Sequence, residues 1–221
     1  MNNTLILIAM ALLPTTGYAS PTAEISLKGG LDSAALSKSY RVSRYGPAGG
    51  LTAGMEWPLV ARLSLAGQLE VLYTPRGGEA VSEGVSQGKI QQHYLDVMFL
   101  ARPRVRLDPM SIYLLLGGGT AFLVSAQDEN AAGFPRDVTD DLHRIDVELL
   151  VGAGIALNLP SVQLGPFRSG AILFEVRHQR GLLDVDTMDF GLKNRTTSFF
   201  VGFSFVLGSG SDEQTGTTGT N

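Results

Sequence analysis

The chain has 221 residues and a formal net charge of −4, from 17 basic and 21 acidic side chains, with 27 glycines and no cysteine. The lack of cysteine excludes disulfide bonds, thiolate metal sites and a cysteine nucleophile, and the small negative charge gives no electrostatic footprint for a nucleic acid partner. A hydrophobic fraction of 44% is too high for a disordered chain, because so many apolar side chains can bury enough surface to fold.

The first segment in chain order has the layout of an export signal. Residues 5–13 form an unbroken apolar run, which is too short for a membrane-spanning helix because such a helix needs about 20 residues. Pro14 ends the run, and Gly17 and Ala19 place small residues at the −3 and −1 positions of a cleavage site. We therefore expect residues 1–19 to be a cleaved signal peptide and the mature protein to be exported.

The mature chain shows repeated alternation of apolar and polar residues. The pattern is clearest from Ile145 onward, where apolar residues alternate with Asp146 and Glu148. A period of two indicates β-strands, since a helix would distribute these charges around its circumference. Eight segments follow the pattern, namely residues 22–32, 48–57, 63–74, 93–103, 111–126, 144–157, 170–181 and 196–207. The sequence therefore predicts an all-β fold.

The connections between these segments differ in length in a regular way. Every odd-numbered connection is longer than the even-numbered ones, and the prolines lie in the signal or near segment ends, where a residue that cannot donate to a β-ladder is tolerated. Long loops at one end and short turns at the other are typical of outer-membrane barrels. We predict an eight-stranded antiparallel up-and-down transmembrane β-barrel over residues 20–207; a soluble exported barrel is the alternative.

In this interpretation the apolar strand faces contact lipid and the polar faces line the lumen. Eight strands enclose an interior just wide enough for side chains to fill, and charges there must pair because an isolated buried charge is costly. We expect Arg177 to pair with a lumen carboxylate, and a narrow channel is the alternative to this plugged lumen. The candidate lumen charge network consists of Lys28, Glu56, Glu70, Asp96, Arg102, Asp146, Glu148, Glu175 and Arg177.

The last predicted strand resembles the terminal strand of outer-membrane barrels. Gly202, Phe205 and Leu207 match the glycine and the final alternating hydrophobic residues of the assembly signal in those proteins, whereas Phe200 occupies a position that is usually polar. The resemblance implies insertion by the barrel-assembly machinery. The residues that follow, 208–221, are rich in Gly, Ser and Thr, and we expect them to form a disordered tail.

Across the mature chain the pattern of residue classes is similar to that of the PorT-like family of eight-stranded outer-membrane barrels, which are relatives in architecture of OmpA- and OmpX-type barrels. The matching stretches are residues 49–62, 93–100, 113–117, 150–155, 174–178 and the final strand. The resemblance implies a bacterial outer membrane and carries over no catalytic residue and no cofactor. It specifies the fold better than the function, because one fold hosts many functions.

Two groups of residues are candidates for contact with the membrane surface. The first is basic: Lys38, Arg41 and Arg44 could contact lipopolysaccharide phosphates, since arginine suits phosphate geometry. The second is aromatic, because tyrosine and tryptophan near strand ends often form girdles at the lipid headgroups. Its members are Tyr45, Trp57, Tyr73, Tyr94 and Tyr113.

The histidines suggest an alternative function at the external rim. His93, His143 and His178 fall at that predicted end, together with the loop aspartates Asp140, Asp141, Asp184, Asp186 and Asp189. Such a group could catalyse hydrolysis or bind a metal, but we expect neither, because the His-x-Ser pair of barrel lipid deacylases is absent. We therefore predict a non-enzymatic envelope protein that acts structurally or through its long external loops. A narrow solute channel and a rim hydrolase are the alternatives.

Overall fold

The structure, a computed structural model, describes residues 20–36, 44–82, 85–130, 133–159, 167–184 and 193–207. The predicted signal peptide, residues 1–19, and the predicted tail, residues 208–221, lie outside this set. Within the part of the chain that the structure describes, no helix is long and apolar enough to cross a membrane.

Nine strands account for almost all of the described chain. They are β1 (Thr22–Leu36), β2 (Arg44–Val60), β3 (Leu63–Ser82), β4 (Val85–Arg106), β5 (Met110–Asn130), β6 (Pro135–Asp137), β7 (Ile145–Leu159), β8 (Phe167–Gly181) and β9 (Asn194–Leu207). Eight of them pair antiparallel with their chain neighbours, β5 pairing with β7, and β9 pairs with β1 to close the ring. The short β6 adds to β5 outside the ring. The predicted eight-stranded antiparallel barrel is confirmed.

The two faces of the wall differ sharply in polarity. On β1, Leu27 and Leu31 are 58% and 57% exposed, whereas Lys28 between them is only 4% exposed. Successive side chains of a strand point to opposite faces, so the apolar face is the outer wall and the polar face lines the lumen. This is the reverse of a small soluble barrel, and it is the arrangement that a lipid environment requires.

One end of the barrel carries both termini of the strand ring and the short turns, and we call it the terminus end; the opposite end is the loop end. Only residues 61–62 and 107–109 connect β2 to β3 and β4 to β5 at the terminus end. At the loop end, the sequence predicts a long loop over residues 75–92, between the third and fourth predicted strands, and this prediction is wrong. There β3 and β4 continue to pair as far as Ser82 and Val85.

Prolines within strands explain this error. Pro75 pairs with His93 of β4, but on its other side β2 and β3 have already separated, because their last pair towards the loop end is Gly49 with Tyr73. A proline cannot donate to a ladder, so it is tolerated at this separation. Gly77, with φ of +131°, lets the backbone bend while the hairpin continues, because glycine has no Cβ to strain.

An apolar cluster closes the loop end of the lumen. It contains Leu36, Ile90, Tyr94, Ala121, Leu123 and Ala126 from the barrel wall and Val138 and Leu142 from the segment around a 3-10 turn, Thr139–Asp141. The Val138 N–H donates to the carbonyl of Ala126, and the Ala126 N–H donates to Oγ1 of Thr139 at 2.9 Å. These contacts hold the segment against β5 and over the barrel opening.

Two of the five aromatic residues predicted for girdles lie elsewhere. Tyr94 and Tyr113 are 0% and 1% exposed and point into the lumen, so the girdle prediction is wrong for them. Their positions share the parity of Asp96 and Ser111 on β4 and β5, which is the lumen parity. Tyr45, Trp57 and Tyr73 are on the outer wall and are 75%, 43% and 43% exposed.

Candidate functional site

The polar side chains of the lumen form three stacked layers of charge. The terminus layer contains Glu24, Glu56, Arg102, Arg104 and Arg106; the middle layer contains Lys28, Glu70, Glu175 and Arg177; the loop-end layer contains Asp32, Arg76, Asp96, Asp146 and Glu148. All except Arg106, whose side chain is 47% exposed, are buried. Lumen residues recur at every second position of a strand, and the register of the strands brings those of different strands to the same level.

In the terminus layer three arginines of β4 hold two glutamates. Arg102 pairs with Glu24, and Arg104 bridges Glu24 at 3.2 Å and Glu56 at 2.8 Å. Arg106 completes the row by pairing with Glu56. The Ser204 hydroxyl of β9 also donates to Glu24 at 2.6 Å, so this layer ties β1, β2, β4 and β9 across the lumen.

The middle layer is a ring of two cations and two carboxylates. Lys28 lies 2.6 Å from Glu70 and 3.0 Å from Glu175. Arg177 pairs with Glu70 and lies 2.5 Å from Glu175. The Tyr113 hydroxyl donates to Glu175 at 2.9 Å. Each carboxylate therefore contacts both cations, and the layer is electrically neutral.

The loop-end layer has one cation. Arg76 pairs with Asp96 at 2.6 Å and with Glu148, and its guanidinium lies 4.6 Å from the centre of the Tyr94 ring. The Thr74 hydroxyl donates to Asp96 at 3.0 Å. Asp146 accepts from the Asn194 amide at 3.0 Å and from the backbone N–H of Leu183 at 3.3 Å.

All of the sequence-predicted lumen charges lie in these layers, and the structure adds five more. Glu24 and Asp32 share the face of Lys28 on β1. Arg76 falls in the predicted connection of residues 75–92, and Arg104 and Arg106 fall in the predicted connection of residues 104–110. Those assignments are wrong because β3 and β4 run past Pro75 and Pro103. The sequence does contain a pattern that could have placed the arginines of β4 in the lumen, because arginine recurs at every second residue from Arg102 to Arg106.

The rim residues do not converge on one site. His93 on β4 stacks on Tyr73, and its Nδ1 and the Tyr73 hydroxyl share a hydrogen bond of 2.5 Å. His178 on β8 shares a hydrogen bond of 3.2 Å with Thr197. The strands β4 and β8 are not neighbours in the ring, and both histidines point to the outer wall. Over the described ranges, no group of three His, Asp or Glu side chains could hold a metal ion.

The remaining predicted rim residues are exposed, half-buried in the case of Asp184, or outside the described set. Asp140 pairs with Arg144 at 2.6 Å, and Asp141 with Arg136 at 3.2 Å. In the same segment the Thr139 N–H and hydroxyl donate to Asp137 and hold the pKa of that carboxyl below its usual value. His143 is exposed, and Asp184 follows β8. Outside the described residues lie Lys38, Arg41, Asp186, Asp189 and the side chain of Arg44.

Comparison with known proteins identifies the family. The sequence model described as the outer membrane protein beta-barrel domain matches residues 18–187. No curated protein matches the sequence.

Several solved barrels are similar in structure. Neisserial surface protein A is 15% identical with a TM-score of 0.48, covering 85% of this chain and 99% of its own. The attachment invasion locus protein Ail of Yersinia pestis, in complex with sucrose octasulfate, is 18% identical with a TM-score of 0.39, covering 83% and 99%. The outer membrane enzyme PagL is 14% identical with a TM-score of 0.41, covering 81% and 97%. Since the family model spans most of the chain, the protein belongs to the outer-membrane β-barrel domain family.

Proposed function

We propose that this outer-membrane protein is non-enzymatic and acts as a structural element or interaction surface through its loop end. The observation that carries the proposal is the length of β3, β4 and β5, which have 20, 22 and 21 residues. A tilted strand needs only about 9–11 residues to span a membrane. Because the turns at the terminus end are short, the surplus length projects from the loop end.

The projecting part is an ordered sheet, which we call the blade and define as residues 77–82, 85–91, 127–130 and β6. Its β3–β4 ladder runs to Ser82 and Val85, its β4–β5 ladder to Gly88 and Asn130, and β6 extends it on the far side of β5. A paired sheet presents a fixed surface to a partner and loses less conformational entropy on binding than a mobile loop does.

The lumen supports a closed barrel rather than a channel. Lys28 and Arg177 each contact both Glu70 and Glu175 across the lumen. An eight-stranded barrel has little interior space beyond what its side chains occupy, so this ring of ion pairs blocks the path of a solute.

The proposal includes export by residues 1–19, insertion by the barrel-assembly machinery through the terminal strand, and a place among the PorT-like barrels. The alternation of outward Phe199, Val201 and Phe203 on β9, each about half exposed, supports a lipid-facing terminal strand. With the loop end outside, the connection from β1 to β2 contains Lys38 and Arg41, and Arg44 begins β2, so these residues would meet lipopolysaccharide phosphates.

If the blade projects outside the cell, an epitope inserted into it should be accessible to antibody on intact cells. An epitope inserted between residues 83 and 84, in the β3–β4 connection, should bind antibody on unpermeabilised cells. The matched control carries the same epitope between residues 61 and 62, in the β2–β3 turn, and should need permeabilisation. Labelling of the control but not of the blade insertion on intact cells would contradict the proposed orientation.

Because the lumen is closed, we expect the protein not to conduct ions. Reconstituted in planar bilayers, the wild-type protein should show no discrete conductance, because the middle layer blocks the lumen. The variant Glu70→Ala/Arg177→Ala removes one charge of each sign and two of the four charged side chains of that layer, and it should also stay silent, because the apolar cluster still closes the loop end. Reproducible openings of the wild-type protein would favour the channel alternative.

A further inference from the structure

Two arginines face each other on the outer wall near the loop end. Arg180 of β8 is the cross-strand partner of Arg195 of β9, and both residues are exposed. Their positions share the parity of Phe174 and Phe199, which is the outer parity. Neither side chain forms an ion pair or a hydrogen bond with any residue that the structure describes. Because like charges directly opposite each other destabilise a sheet, this pair calls for an anion.

Another cross-strand pair near the loop end shows the usual arrangement. Lys89 of β4 lies opposite Glu129 of β5, and the two side chains form an ion pair of 2.5 Å. Opposite charges there satisfy each other within the sheet. In the β8–β9 ladder both positions are basic instead, and no described carboxylate pairs with either of them.

The outer face of the β8–β9 ladder changes from charged to apolar towards the middle of the barrel. Next to the two arginines, His178 lies opposite Thr197 and shares a hydrogen bond of 3.2 Å with it. The following outward pair is Val176 with Phe199. At about 3.3 Å per residue, this apolar pair lies about 13 Å from the arginines. The order of basic, polar and apolar pairs matches a lipid with an anionic head and a hydrocarbon tail.

An apolar groove of about 530 Å³ in the outer wall begins at this apolar pair. Ala153 of β7 lies opposite Val176, and at the next outward position Ile155 lies opposite Phe174. The short side chain of Ala153 leaves a depression among these larger neighbours. The other outward side chains that line the groove are Ile112, Phe199 and Val201.

A hydrocarbon chain suits this groove better than a flat part of the wall does. In a bilayer every apolar surface already contacts lipid, so the preference for one position comes from van der Waals packing. A chain seated in the depression has protein atoms on several sides. The groove and the arginine pair lie on the same three strands, so one lipid molecule can contact both.

We propose that the face formed by β7, β8 and β9 binds one phosphorylated, acylated glycolipid of the outer leaflet. A phosphate lies between Arg180 and Arg195, and an acyl chain lies in the groove beside Ala153. Guanidinium groups bind phosphate oxygens through paired, charge-assisted hydrogen bonds, and the phosphate removes the opposition of like charges. The inference rests on the proposed orientation, since the loop end must be outside for this face to meet the glycolipid leaflet. It leaves the blade free for a partner.

The test uses the full chain folded in detergent micelles and titrated with diphosphoryl lipid A, with native mass spectrometry to count bound lipids. The wild type should retain one lipid A per chain and should bind phosphatidylglycerol more weakly. Arg180→Gln/Arg195→Gln should weaken lipid A binding at least about tenfold, because charge-assisted hydrogen bonds are lost. Ala153→Leu fills the groove, leaves both arginines in place and should weaken binding severalfold.

A matched control and a measurement without lipid make the result decisive. Arg144→Gln, at an exposed ion pair, should bind lipid A like the wild type. Without lipid, each single arginine variant should have a urea midpoint no lower than that of the wild type, because it relieves the opposition of like charges. A lower midpoint would show that the arginines are structural and would contradict the proposal.

Three binding results would overturn the site. They are absence of saturable lipid A binding, equal binding of phosphatidylglycerol, and unchanged lipid A binding in either the arginine double variant or Ala153→Leu. The epitope insertions test the orientation separately. If they place the loop end outside and lipid A still does not bind, this site fails while the proposed function stands.

Discussion

Replacing Arg177 with methionine should destabilise the folded barrel more than any other single charge removal in the middle layer. The change leaves Lys28 alone against Glu70 and Glu175, which it contacts at 2.6 and 3.0 Å. It also removes a guanidinium lying 5.0 Å from the centre of the Phe200 ring. Removing one partner of a buried ion pair costs roughly 3–5 kcal/mol, because the other charge stays buried without compensation.

Urea unfolding in lipid vesicles would measure this loss. Trp57 is the only tryptophan in the sequence and lies on the outer wall, so its fluorescence reports departure from the lipid. Arg136→Ala is the control, since its pair with Asp141 is exposed and should contribute no more than about 1 kcal/mol. A midpoint for Arg177→Met equal to that of the control would contradict a stabilising middle layer.

A second substitution that restores the charge balance of the middle layer should recover part of the stability that Arg177→Met loses, even though it removes further contacts. Adding Glu70→Gln to Arg177→Met leaves Lys28 paired with Glu175 and no net charge in the layer. We therefore expect the double variant to regain part of the lost stability. A double variant less stable than Arg177→Met would indicate that individual hydrogen bonds of Glu70, including the one from Thr52, outweigh charge balance.

Nine of the fourteen lumen charges could be assigned from the sequence, because strand periodicity is strict within each predicted strand. Glu148 and Asp146 share a face of their strand regardless of how the neighbouring strands pair. The residues of the polar face could therefore be predicted for each strand separately. Which face was inside could not be decided from alternation alone, because a soluble barrel has the same pattern reversed. The structure decides it through exposure, as Leu27 and Lys28 show.

The pairing partners could not be predicted, because they depend on the stagger of strands that are distant in the chain. Glu24 meets Arg102 through an ion pair between residues 78 positions apart, and no local pattern encodes that separation. The predicted ends of the strands were wrong for a different reason. Proline was interpreted as a terminator, yet Pro75 and Pro103 lie within β3 and β4, where the lumen periodicity of the flanking arginines continues unchanged.

Gly154→Ala should also be strongly destabilising, although it adds a single methyl group. Gly154 of β7 lies directly opposite Tyr113 of β5, and a Cβ there would lie 2.5 to 2.6 Å from three atoms of the tyrosine side chain. The ring cannot move without breaking its hydrogen bond to Glu175, and it also lies 5.4 Å from the Arg102 guanidinium. Overpacking costs roughly 1–3 kcal/mol, and losing a hydrogen bond to a charged group adds roughly 1.5–3 kcal/mol.

A matched glycine and a compensating change test this steric explanation. Gly170→Ala on β8 introduces a Cβ no closer than 3.4 Å to its neighbours, so its urea midpoint should stay near the wild-type value. Tyr113→Leu should relieve the contact, and the double variant with Gly154→Ala should be more stable than the sum of the single effects predicts, since contacting residues are energetically coupled. Additive effects would show that Gly154 is needed for its backbone rather than for the space beneath Tyr113.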